Sequence, residues 1–253
     1  MNELDWELAK ANLEFVRYAD DSIVMCQTKE DLEKAKVIVH ETLQRLGLEL
    51  AEDKSNDIDF HEKDFDFLGF TFNHLKMSKN RHVYYMFGPS VKSLKKFKSD
   101  IKSVTKKSCT YSFEKWTEIL NPVIRGKFNY FLIPFQVARE IRLLLNERGR
   151  VMHGIPALDI TKLDGYVRQR LRVSFSCRGK KHGGQAQGKL LTVKYDNKFF
   201  IKCMGLVTGA YMKAQIVFPG INIDDFILLM DSNKKKSTSS QSKKRFFQYA
   251  YTK

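Results

Sequence analysis

The first 26 residues combine two hydrophobic periods, first that of a helix and then that of a strand pair. In residues 2–12, Leu4 and Leu8 lie four positions apart, as on one side of a helix. Residues 15–18 and 23–26 are rich in β-branched and aromatic side chains, and they flank the sequence Ala-Asp-Asp-Ser. This pattern predicts a short helix followed by a β-hairpin whose tight turn lies at the two aspartates.

A second helix is predicted directly after this hairpin. Thr28 and Asp31 have the spacing of a capping box, in which each side chain binds the backbone N–H of the other residue. Apolar residues then recur with a helical period to about Leu46, and Gly47 is well placed to end the helix. Residues 48–50 alternate apolar and polar side chains, which predicts an extended segment.

A second β-rich region and a basic helix follow. Residues 65–72 contain four phenylalanines at alternate or near-alternate positions, and residues 82–86 are their predicted hairpin partner. Pro89 and Ser90 then mark a boundary. Beyond them, residues 90–107 predict an amphipathic helix whose polar positions are mostly lysine.

The rest of the chain reads mainly as helix until about residue 173. Helices are predicted around residues 116–120, from Asn121-Pro122 onwards, over residues 136–148 and over residues 161–173. The predicted fold class is therefore α+β, an antiparallel sheet with helices followed by a mostly helical region. Residues 178–188 predict a loop rich in Gly, Lys and His, and residues 190–230 mix helical and β-like signals.

Charge is distributed unevenly along the 253 residues. The formal net charge is +15, yet residues 1–90 carry 11 basic and 18 acidic residues and have a net charge of −7. Residues 91–253 carry 33 basic and 11 acidic residues, a net charge of +22, and the last part, residues 232–253, predicts a flexible basic tail. Such a basic excess favours a polyanionic partner, first of all nucleic acid. Solubility and attraction to an anionic membrane surface are the alternatives.

Other classes of protein are disfavoured. No stretch approaches the roughly 20 apolar residues that span a bilayer, and the acidic start is not a secretory signal. The four cysteines and six histidines have no metal-binding spacing, which predicts reduced thiols and a cytoplasmic protein without membrane association.

Asp20 and Asp21 are the sharpest candidates for chemistry. Two adjacent carboxylates between apolar strands repel each other unless a positive group binds them. Mg²⁺ is the cation that polymerases use for this purpose. An ordinary Asp-Asp turn is the alternative interpretation.

Four motifs keep one order along the chain: a Tyr-Ala-Asp-Asp hairpin, a segment containing Lys54, a Phe-Leu-Gly-Phe segment and the basic helix. They lie at Phe15–Asp21, Leu48–Ser55, Phe67–Phe70 and 90–107. A Leu-Asn-Pro-Val-Ile-Arg-Gly stretch and an arginine-rich stretch follow at Leu120–Phe131 and Leu163–Arg172. Together these segments resemble the group II intron-encoded reverse transcriptases. The Tyr-Ala-Asp-Asp hairpin resembles their active-site hairpin, the Phe-Leu-Gly-Phe segment their primer grip and the basic helix their thumb. The last two stretches resemble their maturase-specific region.

The resemblance implies a domain organisation and a set of site residues. Residues 1–88 would be a partial palm, 89–180 the thumb and maturase-specific region, and 181–231 a C-terminal region of unassigned fold. Asp20 and Asp21 would be catalytic and bind Mg²⁺, and Lys54 would donate a proton to the leaving pyrophosphate. Phe67, Leu68, Gly69 and Phe70 would form the primer grip, with Gly69 allowing a nucleic-acid strand to approach the backbone. An ordinary surface lysine and an aromatic core strand are the alternatives for Lys54 and for the primer grip.

Candidate RNA-binding residues follow from charge and from the same resemblance. Their ammonium and guanidinium groups suit phosphate contacts, although a solvated basic surface is the alternative. Three aromatic residues near them, Trp116, Tyr130 and Tyr166, suit either base stacking or the core. The candidates are Lys92, Lys95, Lys96, Lys98, Lys102, Arg125, Lys127, Arg168, Arg170 and Arg172.

The resemblance also implies what these residues lack. The polymerase of the family needs a third carboxylate and the fingers, and both are expected before the hairpin. Whether the chain is an enzyme therefore stays open at this stage, and we expect no DNA synthesis by this polypeptide alone. One hypothesis is that the chain is part of an RNA-directed DNA polymerase, which binds intron RNA, assists splicing and contacts a DNA primer. In that case an upstream chain would supply the missing fingers and palm. The other is an RNA-binding or splicing-assisting module without catalysis.

Overall fold

A computed structural model describes residues 2–51, 55–77, 83–106, 111–145, 153–156, 158–176 and 193–236. It has two compact units, residues 1–68 and 69–253. Helices and antiparallel strands both occur, which confirms the predicted α+β class. Within the described residues, no helix is both long and apolar enough to cross a membrane.

The first unit is built around the hairpin that the sequence predicts. Helix α1 buries Leu4 and Leu8, and helix α2 contributes Ala35 to the same small core. The capping box at the start of α2 is present, and Leu46 ends this helix just before Gly47, whose φ is 67°. The elements are α1 (Asn2–Lys10), β1 (Glu14–Tyr18), β2 (Asp21–Met25), α2 (Lys29–Arg45) and β3 (Phe65–Phe67).

Residues 48–51, where an extended segment is predicted, belong to no helix or strand, and Leu48 and Leu50 lie on the surface. One expectation for the β-rich region that follows is wrong. The β-rich segment 65–72 is interrupted after Phe67, since Leu68 and Gly69 both have a positive φ, which no regular strand contains.

The second unit contains a small sheet and the larger helical core. Strands β4 and β5 pair antiparallel with β6, and β7 pairs parallel with β6. The residues opposite Phe70–Phe72 are 87–89, directly after the predicted partner at 82–86. The strands are β4 (Phe70–Phe72), β5 (Lys76–Met77), β6 (Val83–Pro89) and β7 (His153–Pro156). The compact units divide between residues 68 and 69, and β4 and β6 lie in the same unit as the helices, while the predicted domain boundary between residues 88 and 89 stays a prediction.

The helices of this unit enclose an aromatic core in which Phe97, Trp116 and Phe128 are fully buried. Residues 190–230 were left without an order of elements by the sequence. Their described part, from residue 193 onwards, contains a five-residue π-helix at Phe199–Cys203, which two helices follow. The helices are α3 (Val91–Val104), α4 (Phe113–Phe131), α5 (Ile133–Leu145), α6 (Ile160–Ser176), α7 (Gly209–Val217) and α8 (Ile223–Lys236).

Two more expectations change here. Helix α4 runs as one 19-residue helix through Pro122 instead of two helices that meet there. Helix α8 continues to Lys236, so the first residues of the predicted basic tail are helical. The predicted loop at 178–188 and the rest of the tail, residues 237–253, lie outside the described residues.

Candidate active site and nucleic-acid interface

The tip of the β1–β2 hairpin presents the two aspartates in different ways. Tyr18 pairs with Asp21, so the turn consists of Ala19 and Asp20, and Asp21 is the first residue of β2. This corrects the expectation that the turn lies at both aspartates. Ala19 has a φ of 53°, a left-handed conformation that residues with a Cβ adopt at some cost in free energy.

One face of the hairpin is packed and the other is open. Phe15 and Val24 pack on the core formed with α1 and α2. On the opposite face Val16 and Tyr18 are 49% and 67% exposed, and Asp21 lies beside Tyr18 in the register. Because Asp20 and Asp21 are both exposed, a cation can reach their carboxylates from solvent.

The two carboxylates at the tip are of the ligand type that Mg²⁺ prefers, but they are fewer than the ligands that it needs. Carboxylate oxygens are the hard ligands that Mg²⁺ prefers, and it needs six ligands in octahedral geometry. Among the described residues, no group of three or more His, Cys, Asp or Glu side chains is placed to hold a metal ion. Asp20 and Asp21 thus offer two carboxylates, to which water or another molecule would have to add the remaining ligands.

Arg17 supports this tip, and the sequence did not single it out. Its Nε and Nη2 atoms donate to the two carboxylate oxygens of Asp5, the first at 2.7 Å, and Nη1 donates to the carbonyl oxygen of Ala19 at 3.1 Å. The hydrogen bond from Arg17 holds the pKa of Asp5 below its ordinary value. Asp5 lies 12 residues before Arg17, so no local pattern links the two.

The predicted primer grip is divided between a strand end and a turn. Phe67 ends β3, Leu68 and Gly69 have φ values of 47° and 74°, and Phe70 begins β4 as a buried residue. Gly69 is therefore not inside a strand. Lys54, the predicted proton donor, lies outside the described residues.

The close approach expected at Gly69 is made by the protein itself. A Cβ at this position would lie 2.9 Å from the Ser93 hydroxyl oxygen. The carbonyl oxygen of Gly69 accepts hydrogen bonds from the Ser93 hydroxyl and from the Ser90 backbone N–H, both at 2.8 Å. Since Ser90 is the N-cap of α3, these bonds fix the Gly69 turn at the start of the basic helix.

Helix α3 separates its apolar and basic residues. Phe97 and Ile101 are fully buried, whereas Val91, the first residue of the helix, is exposed. The lysines on its opposite side have no ion-pair partner among the described residues, and Nζ of Lys98 lies 5.8 Å from the centre of the Tyr166 ring. The exposed lysines, here called the α3 lysine face, are Lys92, Lys95, Lys96, Lys98 and Lys102.

The candidates in α4 and the three aromatic residues occupy mixed positions. Arg125 is exposed and Lys127 is half-buried. Trp116 belongs to the core, and Tyr130, which is 39% exposed, contacts the Phe70 ring with centroids 4.9 Å apart. Tyr166 is half-buried and its hydroxyl donates to the Lys98 carbonyl oxygen at 3.1 Å.

The arginines of α6 do not form an open polar side, contrary to expectation. Arg168 and Arg172 are each 8% exposed, and Arg172 donates from Nε to the Tyr195 carbonyl oxygen at 2.9 Å. Arg170 is half-buried and donates to the hydroxyl and carbonyl oxygens of Thr105. Helix α6 turns these side chains inward because the segments that follow α3 and precede the π-helix pack against it.

Asp164 lies on the same buried stripe and caps another helix. Its carboxylate accepts the backbone N–H groups of Gly209 and Ala210 at 2.8 and 2.9 Å, at the start of α7. Burial raises the pKa of Asp164, although these two bonds and the charge of Arg168 oppose the change. Burial lowers the pKa of Arg168, whose Nε has no hydrogen-bond partner among the described residues.

The N-terminal part of the chain matches the model of a known protein family. None of the curated proteins compared with the chain matches it. Residues 1–72 match the family model described as reverse transcriptase (RNA-dependent DNA polymerase). This region contains helix α1 and the hairpin with Asp20 and Asp21, so this part of the chain is similar to the reverse transcriptases.

Proposed function

We propose that the chain is part of a group II intron-type reverse transcriptase and maturase, and that it binds structured RNA through the α3 lysine face. The observation that supports this proposal is a helix with two different sides. One side carries five exposed lysines that have no ion-pair partner among the described residues, and the other packs on a fully buried aromatic core. Residues 1–88 are proposed as part of the palm and residues 89–180 as thumb and maturase-specific region. The match of residues 1–72 to reverse transcriptases supports the palm assignment.

The chemistry of the α3 lysine face suits a nucleic-acid backbone. Lysine ammonium groups without a carboxylate partner are free to neutralise phosphates and to release the counterions that surround them. Arg125 adds one exposed guanidinium in the same unit. Arg168, Arg170 and Arg172 are engaged inside the protein, so the proposal does not depend on them.

Asp20 and Asp21 are proposed to hold Mg²⁺, which would supply charge neutralisation at a polymerase centre. Two protein carboxylates among the described residues supply only part of the ligand set, so we propose that this polypeptide alone binds RNA without copying it into DNA. The same observation favours the second candidate function, an RNA-binding or splicing-assisting module without catalysis. We also propose that Lys54 donates a proton to the leaving pyrophosphate and that Phe67–Phe70 form a primer grip. A DNA primer and a separate chain that completes the palm are the further partners that we propose.

The test is RNA binding by a triple variant, Lys92→Gln, Lys95→Gln and Lys96→Gln, measured by fluorescence anisotropy with a labelled structured RNA hairpin. We expect an affinity about tenfold lower at moderate salt, because three phosphate contacts are lost. We also expect the slope of log affinity against log salt to be shallower by about 2.

A matched control removes the same charge from lysines that are already paired. Lys115, Lys162 and Lys202 form ion pairs with Glu118, Asp159 and Asp224 in the same unit. The corresponding triple Gln variant should bind nearly as well as the wild type. Equal losses in the two triple variants, or wild-type affinity that does not change with salt, would contradict the proposed interface.

A further inference from the structure

The Arg17 side chain joins three parts of the first unit. Two of its nitrogens bind Asp5 in α1, and the third binds the carbonyl oxygen of Ala19 in the hairpin turn. The side chains of Arg17 and Asp5 are 21% and 27% exposed, so the pair is shielded from most of the solvent. A two-pronged bond between guanidinium and carboxylate fixes orientation as well as distance.

The bond to Ala19 acts on the peptide group that leads to Asp20. The carbonyl of Ala19 and the N–H of Asp20 belong to one planar peptide unit. Because Ala19 has a φ of 53°, the turn is in a conformation that an alanine does not favour by itself. The hydrogen bond from Arg17 compensates for part of that cost and sets the direction in which Asp20 leaves the turn.

The partner of Arg17 also matters for charge. Arg17 lies close enough to Asp20 for the two charges to interact, and both Asp5 and Asp20 raise the pKa of Arg17. An unpaired guanidinium at this place would repel a cation at the tip. The carboxylate of Asp5 neutralises it, so Arg17 can hold the turn while Asp20 and Asp21 stay available to a metal ion.

We propose that Arg17, oriented by Asp5, is a positioning residue for the carboxylates at the hairpin tip. The inference rests on the proposed function of Asp20 and Asp21 as metal ligands. A simpler role, a tie between α1 and β1 that stabilises the unit, would leave the tip unchanged when the tie is weakened. The two roles therefore differ in what happens to cation binding.

The experiment uses the full 253-residue chain with Mn²⁺ as the probe and electron paramagnetic resonance to measure bound ion. The first variant, Asp20→Ala with Asp21→Ala, should lose the bound Mn²⁺. Arg17→Lys keeps the charge but not the fork, and should weaken Mn²⁺ binding about tenfold, as changes behind metal ligands commonly do. In Arg17→Lys, the ¹³C chemical shifts of Ala19, measured by nuclear magnetic resonance, should also move away from the values typical of a residue with a positive φ.

Arg45→Lys is the matched control. Arg45 also contacts α1, through Glu3 at 3.4 Å and Glu7 at 3.9 Å, but no contact among the described residues links it to the hairpin turn. It should leave both Mn²⁺ binding and the Ala19 signals unchanged. Asp5→Asn is the second variant in case Arg17→Lys fails to fold, and should weaken Mn²⁺ binding because Arg17 is no longer neutralised.

The outcomes separate the inference from the function on which it rests. Unchanged Mn²⁺ binding in the double aspartate variant would remove the proposed metal site itself. Loss of binding in that variant, together with wild-type binding in Arg17→Lys and in Asp5→Asn, would overturn the positioning role alone. A parallel loss in Arg45→Lys would reduce Arg17 to one of several structural ties.

Discussion

Arg168 and Arg172 show how burial changes what a charged side chain does. With Asp164 they lie four and eight positions apart on one side of α6, and all three are buried. Burial lowers the pKa of both arginines and raises that of Asp164, so each is held in a less favourable environment than water. Hydrogen bonds to backbone groups compensate Asp164, at residues 209 and 210, and Arg172, at residue 195, which connects α6 with α7 and with the residues before the π-helix.

Replacing Asp164 should therefore destabilise the second unit. Asp164→Ala leaves the N–H groups of Gly209 and Ala210 without their acceptor, one of them in a buried position. Because each unsatisfied buried group costs about 1–3 kcal/mol, we expect a loss of about 2–4 kcal/mol in the free energy of unfolding. Urea denaturation followed by circular dichroism measures it.

Glu118→Ala serves as the comparison for this variant. Glu118 is an exposed acid whose bond to Lys115 is a surface ion pair. Its loss should cost less than about 1 kcal/mol. Similar losses for Asp164→Ala and Glu118→Ala would show that the buried carboxylate contributes little to the start of α7.

Helix α4 shows how tertiary contacts decide where a helix begins and ends. Asn121 and Pro122 are residues that commonly start a helix. Here the Asn121 side chain instead donates to the Gly205 carbonyl oxygen and accepts the Val207 N–H, at 3.0 and 2.9 Å. Pro122 lies on the exposed side, and the helix continues through it because Trp116, Leu120, Ile124 and Phe128 form one buried stripe.

Two glycines in helices should respond to alanine in opposite directions. Gly126 lies in α4, and the position that an added Cβ would take has no neighbouring atom within 4 Å. Gly126→Ala should therefore raise the free energy of unfolding by about 0.5–1 kcal/mol. At Gly209, the first residue of α7, a Cβ would lie 2.8–2.9 Å from Ile160 and Phe128. Gly209→Ala should thus cost about 1–3 kcal/mol.

The same chemical change makes these two variants controls for each other. Thermal and urea unfolding of both, beside the wild type, give the sign of each effect. Stabilisation by Gly209→Ala would mean that α4, α6 and α7 pack less tightly than the distances indicate. Destabilisation by Gly126→Ala would mean that its surface is covered in the folded protein.

The division into two units sharpens the charge asymmetry of the chain. Residues 1–68 carry 8 basic and 18 acidic residues, a net charge of −10, and residues 69–253 carry 36 basic and 11 acidic residues, a net charge of +25. A polyanion is therefore attracted by one unit and repelled by the other. This partition, more than the total of +15, determines where RNA is expected to bind.

Lysine acetylation with and without bound RNA tests that partition on the intact chain. RNA should slow the modification of Lys92, Lys95 and Lys102 several-fold, because phosphates cover their ammonium groups. Lys29, an exposed lysine of the first unit, should react at the same rate in both samples. Mass spectrometry of peptides reads each site, and equal protection of Lys29 would contradict binding through the second unit.

Local signals predicted several elements because they act between residues close in the chain. Helix α2 follows its Thr28 capping box and ends before Gly47, and α3 follows its lysine and apolar periodicity. The β-rich strands likewise predicted the hairpin around Asp20 and Asp21, although its turn lies one residue earlier than expected. Hydrogen bonds within a turn or a cap depend on a few neighbouring side chains, so the amino-acid order is sufficient to predict them.

Contacts between residues far apart in the chain decided the rest. The inward position of Arg168 and Arg172, the use of Asn121 at residues 205–207, the anchoring of Gly69 by Ser93 and the pairing of Arg17 with Asp5 all join separate segments. A charged or polar residue has the same local pattern whether it faces water or a distant partner. Only the packed chain shows which of these it meets, because burial and long-range hydrogen bonding arise when the segments come together.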